Sequence, residues 1–193
     1  MVERLKVFDE KYQYLYDENR DTIHEKGLWH ETFHCWLMDD DHVYIQKRSA
    51  DKKEFPNLYD ITAAGHLLAQ EEVMDGIREV EEEIGIKVDY SKLSNMGFVQ
   101  DTIRLPYFID NEFANVFLYL STFMPDDFIL QQEEVDSIHA VEIQSLAALF
   151  HGEVANVRCR NLKTDEVSEI LLTDFVPHET EYFRTMAKHF VIK

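Results

Sequence analysis

The alternation of apolar and polar positions divides the chain into short strand-like segments and a few helical ones. Residues 4–8 and 12–16 alternate loosely and predict a short strand pair. Residues 17–28 are polar and stop at Gly27, as a connection or a short helix would. Glu31–Met38 (ETFHCWLM) has the aromatic and apolar content of a buried strand, Asp39-Asp40-Asp41 marks a turn, and Val43–Arg48 completes a hairpin. The three aspartates read as a solvated turn, because a calcium loop spreads its oxygen ligands over a longer spacing around a central glycine. Ser49–Asn57 is a polar loop, and Leu58–Leu68 reads as a strand running into a small-residue turn at Ala63-Ala64-Gly65. Further strands are predicted near 97–103, 113–124 and 139–143, with a short helix at Ser145–Phe150. The tail holds one or two more strands and a last helix, Glu179–Phe190.

One segment has a helical period. Val73, Ile77, Val80 and Ile84 recur at i, i+4, i+7 and i+11, a narrow apolar stripe, over a helix predicted at Glu72–Ile84 and stopped by Gly85. On the other side Glu79 and Glu83 stack one turn apart, Glu72 lies two turns earlier, Glu82 stands beside them, and Gly76 leaves room between. Arg78 and Glu82 are spaced to pair along the helix. Glu81 falls nearer the apolar edge, as an ordinary surface residue. Crowded like charges raise one another's pKa, and a hard divalent cation relieves the repulsion, since carboxylate oxygens are what Mg2+ and Mn2+ prefer. Spacing alone favours a solvated acidic face over a metal site.

Composition sharpens that choice. The 193 residues are 45% hydrophobic and 12% aromatic, enough for a packed core, and suit one domain with some elaboration. The net charge is −19, which argues against binding a nucleic acid backbone or an anionic membrane surface. It also raises the value of any cation site, because a phosphate-rich substrate would otherwise be repelled. Cys35 and Cys159 form no Cys-x-x-Cys pattern and read as buried free thiols. With no apolar run of about 20 residues and no secretory leader visible, a reducing cytoplasm is the expected location.

The stretch Arg78-Glu79-Val80-Glu81-Glu82-Glu83-Ile84-Gly85-Ile86 resembles the second half of the Nudix box, Arg-Glu-apolar-x-Glu-Glu-x-Gly-apolar, at every required position. Upstream, Gly65 resembles the glycine that opens the box, and Glu71 follows it at the expected distance. Only six residues, Glu72–Ile77, then precede the Arg, one fewer than the pattern asks, so Glu71 or Glu72 fills the upstream acidic position. The segment QQEEVDSIHAVEIQSLAALF resembles the acidic loop, last core strand and helix of the same family. The resemblance spans about residues 30–150. It implies an α+β fold, an α/β/α sandwich with a mixed sheet and flanking helices. The strands before residue 28 and the strand–helix segment after 151 would be additions to a single domain covering 1–193.

The resemblance further implies metal-dependent hydrolysis of a small-molecule diphosphate, often a nucleotide, with Mg2+ or Mn2+ as cofactor. Glu79, Glu82 and Glu83 become the metal ligands, with the Gly65 carbonyl added, and Arg78 braces them. The general base is Glu79, or Glu133 or Glu134 of the later loop. Other residues invite attention: Trp29-His30 and His34 in the first hairpin, His66 beside the box glycine, Phe55, Tyr59 and Phe113 as stacking surfaces, and Lys47 and Arg48 at a strand end. The final helix, with His178, Tyr182 and Phe183, is expected to cap the core. The regions 27–30 and 59–66 also resemble the isopentenyl diphosphate isomerase branch. Ala63-Ala64 stands where that chemistry has a cysteine, and Asn111-Glu112-Phe113-Ala114-Asn115 departs from its later Glu-containing segment. A hydrolase is therefore preferred over an isomerase, and a non-catalytic module that binds a nucleotide or partner stays open. The aromatic N-terminal region leaves a homodimer possible.

Overall fold

A computed structural model describes residues 3–191. Strands β1 (Arg4–Phe8) and β2 (Tyr14–Asn19) form an antiparallel pair, followed by helix α1 (Arg20–Lys26). Gly27 ends α1 at φ +62°, a left-handed conformation that glycine adopts without steric cost. Then come β3 (Trp29–Met38), β4 (His42–Arg48), β5 (Tyr59–Asp60) and β6 (Ala63–His66). A 3-10 turn, Val73–Ile77, leads into α2 (Arg78–Ile84). A long hairpin of β7 (Leu93–Leu105) and β8 (Phe108–Leu120) precedes β9 (Val135–Glu142) and α3 (Ile143–His151). The tail adds β10 (Asn156–Asn161), β11 (Val167–Leu171) and α4 (Thr180–Val191).

The strands join one mixed sheet along the path β11-β10-β9-β4-β3-β1-β2. β3 pairs in parallel with β8 over its whole length, from Trp29↔Asn111 to Met38↔Leu120, and antiparallel with β6. Period-2 alternation sends successive β3 side chains to opposite faces. Phe33, Cys35 and Leu37 meet Val80, Ile84 and Phe117 under α2. Trp36 meets Phe150, Tyr182 and Phe190 under α3 and α4. The sandwich is thus an apolar layer on each side of the sheet.

Three sequence expectations change. The predicted helix Glu72–Ile84 splits, because its first turn takes i→i+3 bonding and only Arg78–Ile84 is α-helical. Gly76 does not open space beside the glutamates. It faces the sheet, where a Cβ would come within 2.5 Å of the Phe33 side chain. Ala63-Ala64-Gly65 is not a turn but strand β6, laid antiparallel on β3 so that Gly65 opposes Phe33. The expected α+β sandwich is what forms. Cys35 and Cys159 are buried free thiols, and no described helix is long and apolar enough to cross a membrane.

Candidate functional site

Strand β6, paired with β3 in the sheet, packs directly against α2. Close packing of a strand on a helix needs small residues, and Gly65 supplies the closest point: a Cβ there would collide with the Glu79 carboxyl group. The Ala64 amide donates to Glu83 Oε2 at 3.3 Å. The acidic loop is docked by backbone bonds to the end of α2, with the Ile129 amide on the Ile84 carbonyl (3.0 Å) and the Gln131 amide on the Glu83 carbonyl (2.9 Å). This brings Glu134 to the site, where Lys52 pairs with it, while Glu133 stays exposed outside. Arg78, Glu79, Glu82, Glu83, Gly65 and Glu134 all line one cavity of about 590 Å³.

Glu71, not Glu72, takes the upstream acidic position. Arg78 Nε and Nη2 donate to its two oxygens at 2.7 and 3.2 Å, and the Leu68 amide donates to Oε2 at 2.8 Å. Glu72 points to solvent, with 87% of its side chain exposed, 3.5 Å from Lys6. Arg78 also reaches Glu79 at 2.6 Å, Glu82 at 3.1 Å and the His66 carbonyl at 3.2 Å. Its hydrogen bond to Glu71 raises its pKa, and the return effect, against the burial that opposes it, lowers that of Glu71.

One guanidinium shared among Glu71, Glu79 and Glu82 leaves the group short of positive charge. Burial, despite Arg78, pushes Glu79 up to about 7, and burial together with the Glu79 charge pushes Glu83 up to about 8. Buried oxygens whose charge is held off by desolvation and mutual repulsion are donors that fit a hard divalent cation. Glu79, Glu82, Glu83 and the Gly65 carbonyl therefore form a chemically suitable donor set. Glu81 is exposed, as expected, near Lys87.

A second ionic cluster lies at the same cavity and was not singled out in the sequence as a unit. His24, His30, His66 and Asp110 bring one ligand atom each to within 4.8 Å of one another. His24 Nε2 is 3.1 Å from His66 Nε2 and 3.4 Å from Asp110 Oδ1, and His30 Nε2 is 3.2 Å from the same oxygen. Among the described residues, His30 Nε2 and Asp110 Oδ1 have no well-formed hydrogen bond despite full burial. His30 Nδ1 donates to the Leu28 carbonyl at 3.1 Å, which turns Nε2 toward Asp110, and against the burial that opposes it the Asp110 carboxylate raises the His30 pKa. Burial and the neighbouring His30 hold the His66 pKa well below its ordinary value. The three nitrogens and one oxygen suit a borderline cation such as Zn2+ or Co2+.

Signals for this cluster lay in β3 and β8. In the buried strand β3, His30, Thr32 and His34 recur at every second position, and Asp110 and Glu112 do the same on the paired strand. Polar residues on one face of a buried strand pair mark a face turned toward a cavity. His34 itself is satisfied, by Tyr182 Oη at 2.8 Å and Thr32 at 3.2 Å. Glu112 is buried 3.4 Å from His34, with its pKa raised well above normal by burial and by Asp110.

Of the other tempting residues, Phe55 lines the cavity. Tyr59 and Phe113 pack in the interior, Tyr59 against His139 and Phe175 and Phe113 against Trp29 and Phe8. Lys47 is not among the lining residues. Arg48 is, but it is committed to Asp60 (2.8 Å) and to the Phe55 and Glu54 carbonyls. Tyr182 and Phe183 cap the core, whereas His178 reaches the cavity wall.

Residues 28–160 match the model of the NUDIX domain. A protein of Clostridium acetobutylicum, named an uncharacterized Nudix hydrolase, is 32% identical over 197 residues, covering 96% of each chain. An isopentenyl-diphosphate Delta-isomerase of Aromatoleum aromaticum is 28% identical over 119 residues, 61% of this chain and 66% of that one. The crystal structure of a Deinococcus radiodurans protein superposes with a TM-score of 0.59 at 18% identity, covering 78% of this chain and 90% of that one.

Proposed function

We propose a substrate class and a metal requirement for this chain, which belongs to the Nudix family and is a Nudix hydrolase. We read it as one Nudix domain with terminal additions, acting on a small-molecule diphosphate, such as a nucleoside diphosphate linked to a second group, with Mg2+ or Mn2+. The observation that carries this reading is the pair Glu79 and Glu83 beside Gly65, whose pKa values burial raises, with Glu82 next to them and a single arginine, Arg78, tied to Glu71 and shared with Glu79 and Glu82.

Glu79, Glu82, Glu83 and the Gly65 carbonyl would hold the cation, which when bound offsets charge on the phosphoryl oxygens and makes water a stronger nucleophile. Arg78 fixes the carboxylates from the side, since its guanidinium is already shared among Glu71, Glu79 and Glu82. The water oxygen bonds to phosphorus, the bridging oxygen leaves with its electron pair, and the water's proton passes to a carboxylate. Glu134, on the docked loop and outside the cation donor set, is the acceptor we favour over Glu79, whose oxygens would be taken by the cation. The His24–His30–His66–Asp110 cluster would hold a second, nitrogen-ligated cation at the same cavity.

Isomerase chemistry is not favoured, because Ala64 offers no acid or base where that chemistry has a cysteine. Release of phosphate or nucleoside monophosphate should be measured on nucleoside diphosphate sugars, dinucleoside polyphosphates, nucleoside triphosphates and isopentenyl diphosphate, with Mg2+ or Mn2+. The expected result is metal-dependent turnover of at least one compound, falling on the order of 100-fold in Glu83→Gln. Equal inactivity of wild type and variant on the whole panel sinks the hydrolase reading. Conversion of isopentenyl diphosphate to its allylic isomer would instead establish the isomerase.

A further inference from the structure

The cavity has a third ionic group, in which His178, from the tail beyond the residues that match the family domain, joins Arg48, Asp60 and Asp101 within them. His178 precedes α4 and carries a side chain only 7% exposed. Its Nδ1 lies 2.6 Å from Asp101 Oδ2 on β7, and its Nε2 lies 3.1 Å from Asp60 Oδ1 on β5. Asp60 is also held by Arg48 (2.8 Å) and by the Ile61 amide (2.9 Å). The second oxygen of Asp101 accepts the Glu179 amide at 2.8 Å. The ring stacks on Tyr182 at 4.7 Å. Two carboxylates thus face an imidazolium and a guanidinium, and backbone amides take the bonds that remain. With both carboxylates against it, the ring keeps its proton up to about 10, against the burial that opposes this.

A charge-balanced, fully bonded cluster has nothing left with which to bind a phosphate or a metal. It does fix the cavity wall. Ile61, Ile103 and Val176 stand one or two residues from Asp60, Asp101 and His178, and these three apolar residues line the same cavity as His178. We propose that His178 is a positioning residue whose clasp on Asp60 and Asp101 shapes the cavity wall that receives an uncharged organic group of the substrate, so that the C-terminal addition helps choose which diphosphates are hydrolysed. The inference rests on the diphosphate reading above.

Steady-state kinetics of wild type and His178→Gln test it on three probes with Mg2+. ADP-ribose and dimethylallyl diphosphate carry an uncharged organic group, and methyl diphosphate carries almost none. The expected result is a KM raised about tenfold on whichever of the first two is turned over, with kcat within about twofold and methyl diphosphate within about twofold on both constants. An equal change on every probe, or none on any, overturns the proposal. Histidine-labelled wild type supplies a measurement independent of the variant's folding. The His178 ring resonances should shift on adding ADP-ribose or dimethylallyl diphosphate and stay put with methyl diphosphate, and no shift with any of them overturns the proposal. Should wild type hydrolyse no diphosphate, the hydrolase reading falls, while the resonance titration still decides whether the clasp meets an organic group.

Discussion

Two buried ionic groups on one cavity, each with several charges, are built on opposite plans. In the clasp, Arg48, Asp60, His178 and Asp101 pair off completely, and the aspartates' pKa values are lowered by the cations that outweigh burial. Beneath α2, Arg78 is shared among three glutamates while Glu83 faces only Lys52 at a distance, and Glu79 and Glu83 are pushed upward. The first group is complete without a ligand and shapes the wall. The second is short of positive charge, and its deficit is the property a cation would use. Satisfaction of charge, more than the number of charged residues, separates scaffold from site.

The sharpest way to break the comparison is through the histidine cluster, which is unsatisfied like the α2 group but nitrogen-rich. Co2+ added to wild type and followed through gel filtration should be retained with a visible absorption band of nitrogen ligation. His30→Ala and Asp110→Asn should each lose the band by about tenfold or more, and Glu83→Gln should keep it. Loss in Glu83→Gln alone would place the only tight cation under α2 and make the histidines structural.

A smaller effect, on stability, follows from the raised pKa values. Glu79 and Glu83 titrate near 7 and 8 folded against an ordinary 4.5. For acids raised in the folded state, the folded protein binds more protons. That stabilisation is fully present below pH 4.5 and is lost as pH rises through 8. His178, raised from 6.5 to about 10, adds stability that is full below 6.5 and lost through 10, so the interval from pH 4.5 to 6.5 is free of it. In EDTA, stability to urea should fall with pH by a few kcal/mol in total across the carboxylate window. Mg2+ or Mn2+ should flatten the upper part, and Glu83→Gln should remove part of the slope throughout. An identical slope in Glu83→Gln would mean that its carboxylate is not held off by burial.

How much of this was legible beforehand depended on whether a signal was local. The run of glutamates, its apolar stripe and Gly85 are neighbours in sequence, so the helix direction, the brace and the exposure of Glu81 could all be read. The sandwich followed from strand-like segments around one strongly periodic helix. Gly76 misled because the first turn of that segment is 3-10, which rotates it onto Phe33. The histidine cluster draws on α1, β3, β6 and β8, and the clasp on β4, β5, β7 and the segment just before α4. No spacing rule joins such positions. The alternation His30-Thr32-His34 was visible, but its meaning depended on β8 lying parallel to β3, a pairing that needs the folded chain.

The smallest predicted effect resolves the segment just before α2, where the family spacing is one residue short. Both Glu71 and Glu72 are glutamates with a cationic neighbour, and only their surroundings differ. Glu71 makes a two-pronged, partly buried bond to Arg78 and accepts the Leu68 amide, so Glu71→Gln weakens the brace that sets Glu79 and Glu82. Residues that orient ligands from outside the first layer typically change activity by about 10–100-fold, and the lower end is expected because Arg78 keeps its other partners. Glu72 stands in solvent 3.5 Å from Lys6, an ion pair worth about 0–1 kcal/mol at most, so Glu72→Gln should leave kcat and KM within about twofold. The two variants assayed side by side on the same diphosphate separate the positions. A larger loss in Glu72→Gln would mean that the chain shifts register before α2 when a cation binds, and that the arginine brace seen here is not the one the reaction uses.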